Sequence, residues 1–372
     1  MKLTHFGISH FRSIGETPVM IDLEKKITVL VGANDCGKSN VLQGLEIVSL
    51  FDGGNQRVKL TESDAHVTYP SVRAKLYYKA INEPDEKEPV LLQAGGATLS
   101  ATVDGKLNGS YWVELEKVDP LLLAEFEAKN TNSQIKGASE EENKSLCIMT
   151  LAGRWIEILS DQLRQFRAIP LHRHISEADD NDHEDDLGGK GFVKLLGEWQ
   201  NPSSGPSRQQ KKAKFTRVVN FLKLLLGSQD VTLDVSRNNQ EIIVVHPGKE
   251  LPLQAHGFGV HQLIIFAIAA LKLENCLVGI EEPEIHLHPV LQKRFLKFLK
   301  EETTNHYVIT THSPALIAPD SEVDVIHLRM VNSVTIPTVV RTDVHTMDAL
   351  DDLGLRASDL LQANSVIWVE GP

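Results

Sequence analysis

The sequence predicts a mixed α/β fold, with an antiparallel β subdomain and a mostly helical insertion, on three observations. The first is a set of continuous apolar, β-branched runs, Ile27–Val31, Cys276–Ile280 and Tyr307–Thr311, each the pattern of a strand buried on both faces. The second is the alternation of such strands with helical patterns near both ends of the chain, the signature of an α/β core. The third is a change of pattern in between, first to short alternating strands and then to polar loops separating amphipathic helices.

Taken in order, Ile27–Val31 breaks at Gly32, and a helix follows with Leu42, Leu45, Val48 and Leu50 on its apolar face. Val72, Ala74, Leu76 and Tyr78 alternate with polar residues, and Asp104-Gly105 is a good hairpin turn. Asn130–Ser145 and Asn201–Lys214 read as loops, with helical patterns over 149–167 and 213–226. Val231–Val235 and Glu241–His246 form a further hairpin pair across Arg237-Asn238-Asn239. A glycine-flanked turn at His256–Gly259 opens a very apolar helix, Val260–Leu273. The strand Cys276–Ile280, the helix Pro289–Glu302, the strand Tyr307–Thr311 and a hairpin near Val325–Val340 complete the pattern.

Composition limits the classes. The chain has 372 residues, 41% of them hydrophobic and 24% charged, so it carries enough apolar sequence for a sizeable core. Its three cysteines, Cys36, Cys147 and Cys276, are far apart, which excludes a disulfide scaffold and a cysteine-rich zinc site. Met1–Phe6 has no signal-peptide core, and the longest apolar run, Leu263–Leu271, is too short to cross a bilayer. The expectation is a cytoplasmic protein with no membrane partner. A net charge of −12 provides no global positive field toward nucleic acid.

Three segments carry chemistry. Gly32-Ala33-Asn34-Asp35-Cys36-Gly37-Lys38-Ser39 fits GxxxxGK[ST], the phosphate-binding P-loop. Its glycines let backbone N–H groups turn toward phosphate oxygens, and the following helix N-terminus adds partial positive charge. Lys38 supplies a point charge to the β/γ-phosphates, and the Ser39 hydroxyl suits Mg²⁺. The second segment, Cys276–Glu284, is a buried strand ending in acids: Glu281 is a candidate metal residue and Glu282 a candidate base for the attacking water. Acids at a strand end also cap helices or face solvent; the P-loop upstream favours the catalytic reading. The third is Val308–Pro314, where His312 follows a buried strand and is placed to sense a γ-phosphate. A lone histidine is more often structural, and the order of these strands is what raises its weight.

In this order, with Glu281-Glu282-Pro283-Glu284 followed by Ile285-His286-Leu287-His288-Pro289 and Thr311-His312-Ser313-Pro314, the chain resembles the ABC-class P-loop ATPase head, and within it the overcoming-lysogenization-defect (OLD) family. SMC, RecF and double-strand-break repair ATPases are relatives of that family. Phe11-Arg12-Ser13-Ile14 resembles the group's N-terminal strand motif, which places Arg12 near the nucleotide and, with Asn40, extends the expected cofactor-binding set of Gly32, Asn34, Asp35, Cys36, Gly37, Lys38 and Ser39. The resemblance implies a head that forms a homodimer or higher homo-oligomer around ATP and Mg²⁺. Each site then takes a loop from the partner, here Gly257–Gln262, whose Gly257 and Gly259 free backbone N–H groups for the γ-phosphate. Phe258 stands where the family usually has a hydroxyl residue, which takes away one phosphate donor. A glycine turn that merely starts a core helix is the alternative. Asp35 and Cys36 also depart from the common P-loop pattern; Cys36 reads first as a small filler and second, because a helix N-terminus lowers thiol pKa, as an alkylatable thiol that ATP would protect.

Ser365–Pro372 resembles the first strand of a TOPRIM nuclease domain, whose Glu serves a metal site; the aspartates that would complete that site are absent, so the expectation is a head belonging to a longer DNA nuclease, with phage defence as the family association. The expected organisation is an ATPase lobe over 1–116, a helical insertion and dimerisation region over 117–228, a second lobe over 229–342, and a linker with the TOPRIM-like strand over 343–372. Glu177–Asp186 holds seven acids in ten residues, with His172, His174 and His183 near it, and reads as a solvated loop before a metal site. The basic groups Arg208, Lys211, Lys212, Lys214 and Arg217, and Lys293, Arg294, Lys297 and Lys300, read as solvated faces before a DNA surface.

Overall fold

The computed structural model describes residues 2–22, 25–49, 71–79, 95–102, 107–112, 166–171, 173–175, 187–236, 241–285, 287–317 and 322–354. The strands are β1 (Lys2–Ser9), β2 (Val19–Asp22), β3 (Ile27–Val31), β4 (Ser71–Lys79), β5 (Gly95–Thr102), β6 (Leu107–Trp112) and β7 (Phe166–Ile169). After these come β8 (Thr232–Val235), β9 (Ile242–His246), β10 (Lys249–Pro252), β11 (Leu277–Glu281), β12 (His306–Thr311), β13 (Val323–Val331) and β14 (Val334–Val339). The helices are α1 (Lys38–Ser49), α2 (Phe192–Gln200), α3 (Arg208–Leu226), α4 (Phe258–Lys272), α5 (Pro289–Glu302) and α6 (Asp343–Asp352).

The chain divides into two compact units. The first comprises Met1–Thr28, Asp35–Arg167 and Arg329–Pro337. It holds an antiparallel sheet in the order β2-β1-β4-β5-β6. The alternation seen at Val72–Tyr78 is β4, and β5 pairs with β6 across the segment that contains Asp104-Gly105, which itself lies outside the described residues.

The second unit comprises Val29–Asn34, Ala168–Leu328 and Thr338–Pro372. Most of a six-stranded sheet, ordered β14-β13-β3-β12-β11-β7, belongs to it, and β11 pairs with β12 in parallel. Every residue of β3 is buried, as its unbroken apolar run requires. A smaller antiparallel sheet, β10-β9-β8, follows the hairpin read from the sequence. Helix α4 is apolar all round and buries each residue from His261 to Leu271, so it is a core helix rather than a surface one. Its C-terminal carbonyls, Ala270 O and Leu273 O, accept from buried Asn305 Nδ2, while Asn305 Oδ1 accepts from Cys276 N. One buried amide thus closes α4 and fixes the entry to β11.

Two expectations need correction. The helical pattern over 149–167 does not reach its C-terminal end, because Phe166–Ile169 is an edge strand with Phe166 and Ile169 buried; 149–165 lies outside the described residues. Helix α3 starts at Arg208, inside the segment read as a loop to Lys214. The basic groups largely serve the fold. Arg294 donates to Leu224 O and Leu225 O at the C-terminus of α3, Arg217 donates to Glu302 O at the C-terminus of α5, and Lys211 and Lys214 pair with Glu198 and Glu274. The acidic run 177–186, Cys147 and Ser365–Pro372 lie outside the described residues.

Candidate active site

The P-loop leaves β3 at Gly32 and enters α1 at Lys38. Gly32, Cys36, Gly37 and Lys38 are buried, Asn40 is half-buried, and Asn34, Asp35 and Ser39 are exposed. Asp35 takes φ 61°, a left-handed conformation that aspartate tolerates, at an exposed position. Gly37 has φ 100°, and a Cβ there would stand 2.3 Å from Thr335 Oγ1 and 2.8 Å from Ser13 Oγ, so both the backbone and the space demand glycine.

That crowding is the floor of the loop. Thr335, fully buried, donates its hydroxyl to Cys36 O at 2.9 Å and its backbone N–H to Ser13 O at 2.7 Å. Ser13 Oγ lies 2.8 Å from Thr335 Oγ1 and accepts from Asn40 Nδ2 at 2.8 Å. Arg12, at φ 50°, donates to Asn40 Oδ1 and to Gln43 Oε1, and its guanidinium lies over the Phe11 ring. The segment Phe11–Ile14 and the β14 threonine therefore brace Cys36, Gly37 and Asn40. The sequence pointed to Arg12 but gave no sign of Thr335.

Cys36 is buried, as a small filler would be, and it is the alkylatable reading that the structure contradicts. Burial pushes its pKa up, against the pull of Lys38, whose Nζ lies 3.9 Å from the sulfur. Desolvation of the thiolate outweighs the helix N-terminus.

The acidic segment is built within the second unit. Glu281 ends β11 in register with Thr310 of β12. Glu282 follows at φ 42°, a strained conformation for glutamate, held by its N–H donating to Thr310 O at 3.0 Å. Its Oε1 then lies 3.4 Å from His312 Nε2, both side chains being about one-third exposed. Glu284 Oε1 accepts the His312 backbone N–H at 2.5 Å, and its buried Oε2 has no hydrogen-bond partner. The loop after β12 is knitted to α5: Ser313 Oγ donates to Gln292 Oε1 and Gln292 Nε2 donates to Leu287 O. This explains locally why the two short motifs around His288-Pro289 and Ser313-Pro314 occur together.

A residue with no sequence forecast completes this half. Arg173, 5% exposed, donates through Nη1 to Glu281 O at 3.1 Å and through Nε to Gln262 Oε1 at 2.8 Å. Burial lowers its pKa to about 10, with Glu281, Glu284 and Glu282 pulling the other way, so it remains a cation at neutral pH.

The loop Gly257–Gln262 is the first turn of α4. Gly257 is its exposed N-cap, Gly259 is half-buried, and Phe258 is 49% exposed. The helix thus starts two residues before the predicted Val260.

The three glutamates offer hard oxygen donors, and the unpartnered Glu284 Oε2 is the kind of atom that a hydrated Mg²⁺ satisfies. Among the described residues no group of three or more His, Cys, Asp or Glu is placed to hold a metal ion. No described helix is long and apolar enough to cross a membrane.

Comparison with known proteins bears on the fold and the family. The endonuclease GajA of Bacillus cereus strain VD045 is 26% identical over 409 residues, an alignment covering 100% of this chain and 66% of GajA. An uncharacterized protein of Methanocaldococcus jannaschii is 26% identical over 110 residues, 28% of this chain and 14% of that one. The chain therefore spans under two thirds of the length of either curated relative. Among solved structures, an SMC head bound to the C-terminal winged-helix domain of ScpA superposes with a TM-score of 0.50 at 13% identity, covering 92% of this chain and 99% of that one. The SMC head of Thermotoga maritima gives 0.48 at 14% identity, covering 92% and 100%. The fold is that of an SMC-head-like P-loop ATPase. The profile of the AAA ATPase domain family matches residues 1–317, and with most of its length so matched the chain belongs to that family.

Proposed function

We propose that this chain is the ATP-binding and ATP-hydrolysing head of an OLD-type nuclease, dimerising around ATP to regulate a DNA nuclease domain in defence against phage. The observation that carries the hydrolytic part is the pair at the strand end: strained Glu282, with its carboxylate 3.4 Å from His312. In this reading the 32–39 backbone and Lys38 hold the triphosphate, with Arg12 and Asn40 beside the loop. Ser39 and Glu281 are the Mg²⁺ residues; bound there, the ion would neutralise charge on the β- and γ-phosphates. Glu282 takes a proton from the attacking water as general base. His312 donates a hydrogen bond toward the γ-phosphate, its backbone held by Glu284. Gly257 and Gly259 present the start of α4 to the nucleotide of a second copy. The nuclease part rests on the alignment that covers all of this chain and 66% of GajA, a protein named an endonuclease, and the defence part only on the resemblance to the OLD family.

The exposed Phe258 favours one other reading, a nucleotide-gated clamp with negligible turnover. Steady-state ATP hydrolysis with Mg²⁺, together with light-scattering mass with and without ATP, separates the two. The ATPase reading expects turnover by the wild type, ATP-dependent dimers, and loss of turnover with retained binding in Glu282→Gln. ATP binding without turnover in either protein identifies the clamp.

A further inference from the structure

Arg173 is buried, cationic and unused by the roles above. It grips a backbone carbonyl of the acidic strand, Glu281 O, and the side chain of Gln262 on α4, and it lies 4.3 Å from the centre of the Phe266 ring one turn further along that helix. The contact with Gln262 is reciprocal, because Gln262 Nε2 donates to Arg173 O at 3.0 Å. Gln262 is 4% exposed, so neither amide nor guanidinium exchanges these partners for bulk water. An apolar side chain usually fills such a site at equal or better stability than a buried ion. A cation kept there bonds two things that otherwise share no covalent neighbour: the first turns of the helix beginning at Gly257, and the peptide unit between the two acids Glu281 and Glu282.

Resting on the ATPase reading above, we propose that Arg173 is a positioning residue that couples the N-terminal turns of α4 to the catalytic strand end, so that engagement of the Gly257–Gln262 loop is felt at Glu281 and Glu282 of the same protomer. Arg173 binds Glu281 through its carbonyl, so a shift of Gln262 is transmitted to the backbone that sets the Glu282 direction. Outer-shell groups of this kind typically alter activity by about 10–100-fold.

The test compares wild type, Arg173→Met, Arg173→Lys, Gln262→Leu and the Arg173→Met/Gln262→Leu double variant, by kcat, KM for ATP, and amide hydrogen exchange over 258–264 and 277–282 with and without ATP. The expected result is a kcat loss of about tenfold or more in Arg173→Met and Gln262→Leu, with KM within about threefold and the double variant no worse than either single one. Arg173→Lys recovers part of the loss, since it restores the charge but not the two-armed grip. Exchange in both peptides rises together in the single variants, and the ATP-dependent protection of 277–282 disappears. The proposal is overturned if either single variant keeps its kcat and its exchange pattern, or if the two losses simply add. Should Arg173→Met fail to fold, Gln262→Leu and Arg173→Lys carry the same comparison. If wild type binds ATP without turnover, the ATPase reading fails, and the exchange measurement still decides the coupling by itself.

Discussion

The P-loop region and the acidic strand end are assembled by opposite means. The loop is a matter of shape. Gly37 is forced by a left-handed backbone and a 2.3 Å approach to Thr335, and the neutral hydroxyls of Ser13 and Thr335 brace it from beneath. Around Glu281, Glu282 and Glu284 the problem is charge. Three acids lie close in sequence, and what holds them is backbone pairing to Thr310 and His312 together with the buried cation Arg173. Shape defects should therefore fall on nucleotide affinity, and charge defects on turnover.

The largest effect expected is on chemistry: Glu282→Gln lowers turnover by about 100-fold or more, the usual worth of a general base, with ATP affinity nearly unchanged. Next is Gly37→Ala, in which left-handed strain of about 1–3 kcal/mol adds to the clash with Thr335 and Ser13; nucleotide affinity measured by titration should fall more than tenfold, with a drop in Tm. Thr335→Val keeps the volume but leaves Cys36 O without its hydroxyl donor, at a cost of about 1–3 kcal/mol in stability or affinity. Gln292→Leu breaks the link from α5 to Ser313 and should cost about 1 kcal/mol by denaturant unfolding, with a partial loss of turnover through a loosened His312.

The smallest effect concerns pH. Because burial raises the Cys36 pKa in the folded chain, the unfolded chain gives up that proton first as pH rises, so this group lowers stability through the alkaline range above its ordinary value. Tyr307, raised by burial from 10.0 to about 12, acts in the same direction. Cys36→Ala and Tyr307→Phe should each flatten the fall of Tm in the alkaline range above the ordinary value of the group removed, and native Cys36 should react with an alkylating reagent more slowly than half-exposed Cys276 whether or not ATP is present.

What was legible in the sequence is what local chemistry dictates. The P-loop, the acids after β11 and the histidine after β12 each follow a continuous apolar run of five or six residues. The braces were illegible because they act across the chain: Thr335 meets Cys36 across 299 positions, and Arg173 meets Glu281 across 108. Neither residue type announces such a role. The strand Phe166–Ile169 was misread for a related reason, since a short edge strand takes its identity from the sheet it joins, where it neighbours β11. For Cys36, the helix N-terminus behind the alkylatable reading is visible in sequence, and the burial that favours a small filler is not.

The division of labour is tested most directly by measuring ATP affinity and the single-turnover rate of bound ATP in Thr335→Val beside Glu282→Gln. The account predicts that Thr335→Val weakens binding about tenfold with a single-turnover rate within about twofold of wild type, and that Glu282→Gln does the reverse. A Thr335→Val protein that binds ATP normally but cleaves it slowly, or a Glu282→Gln protein that loses affinity and keeps its rate, would contradict it.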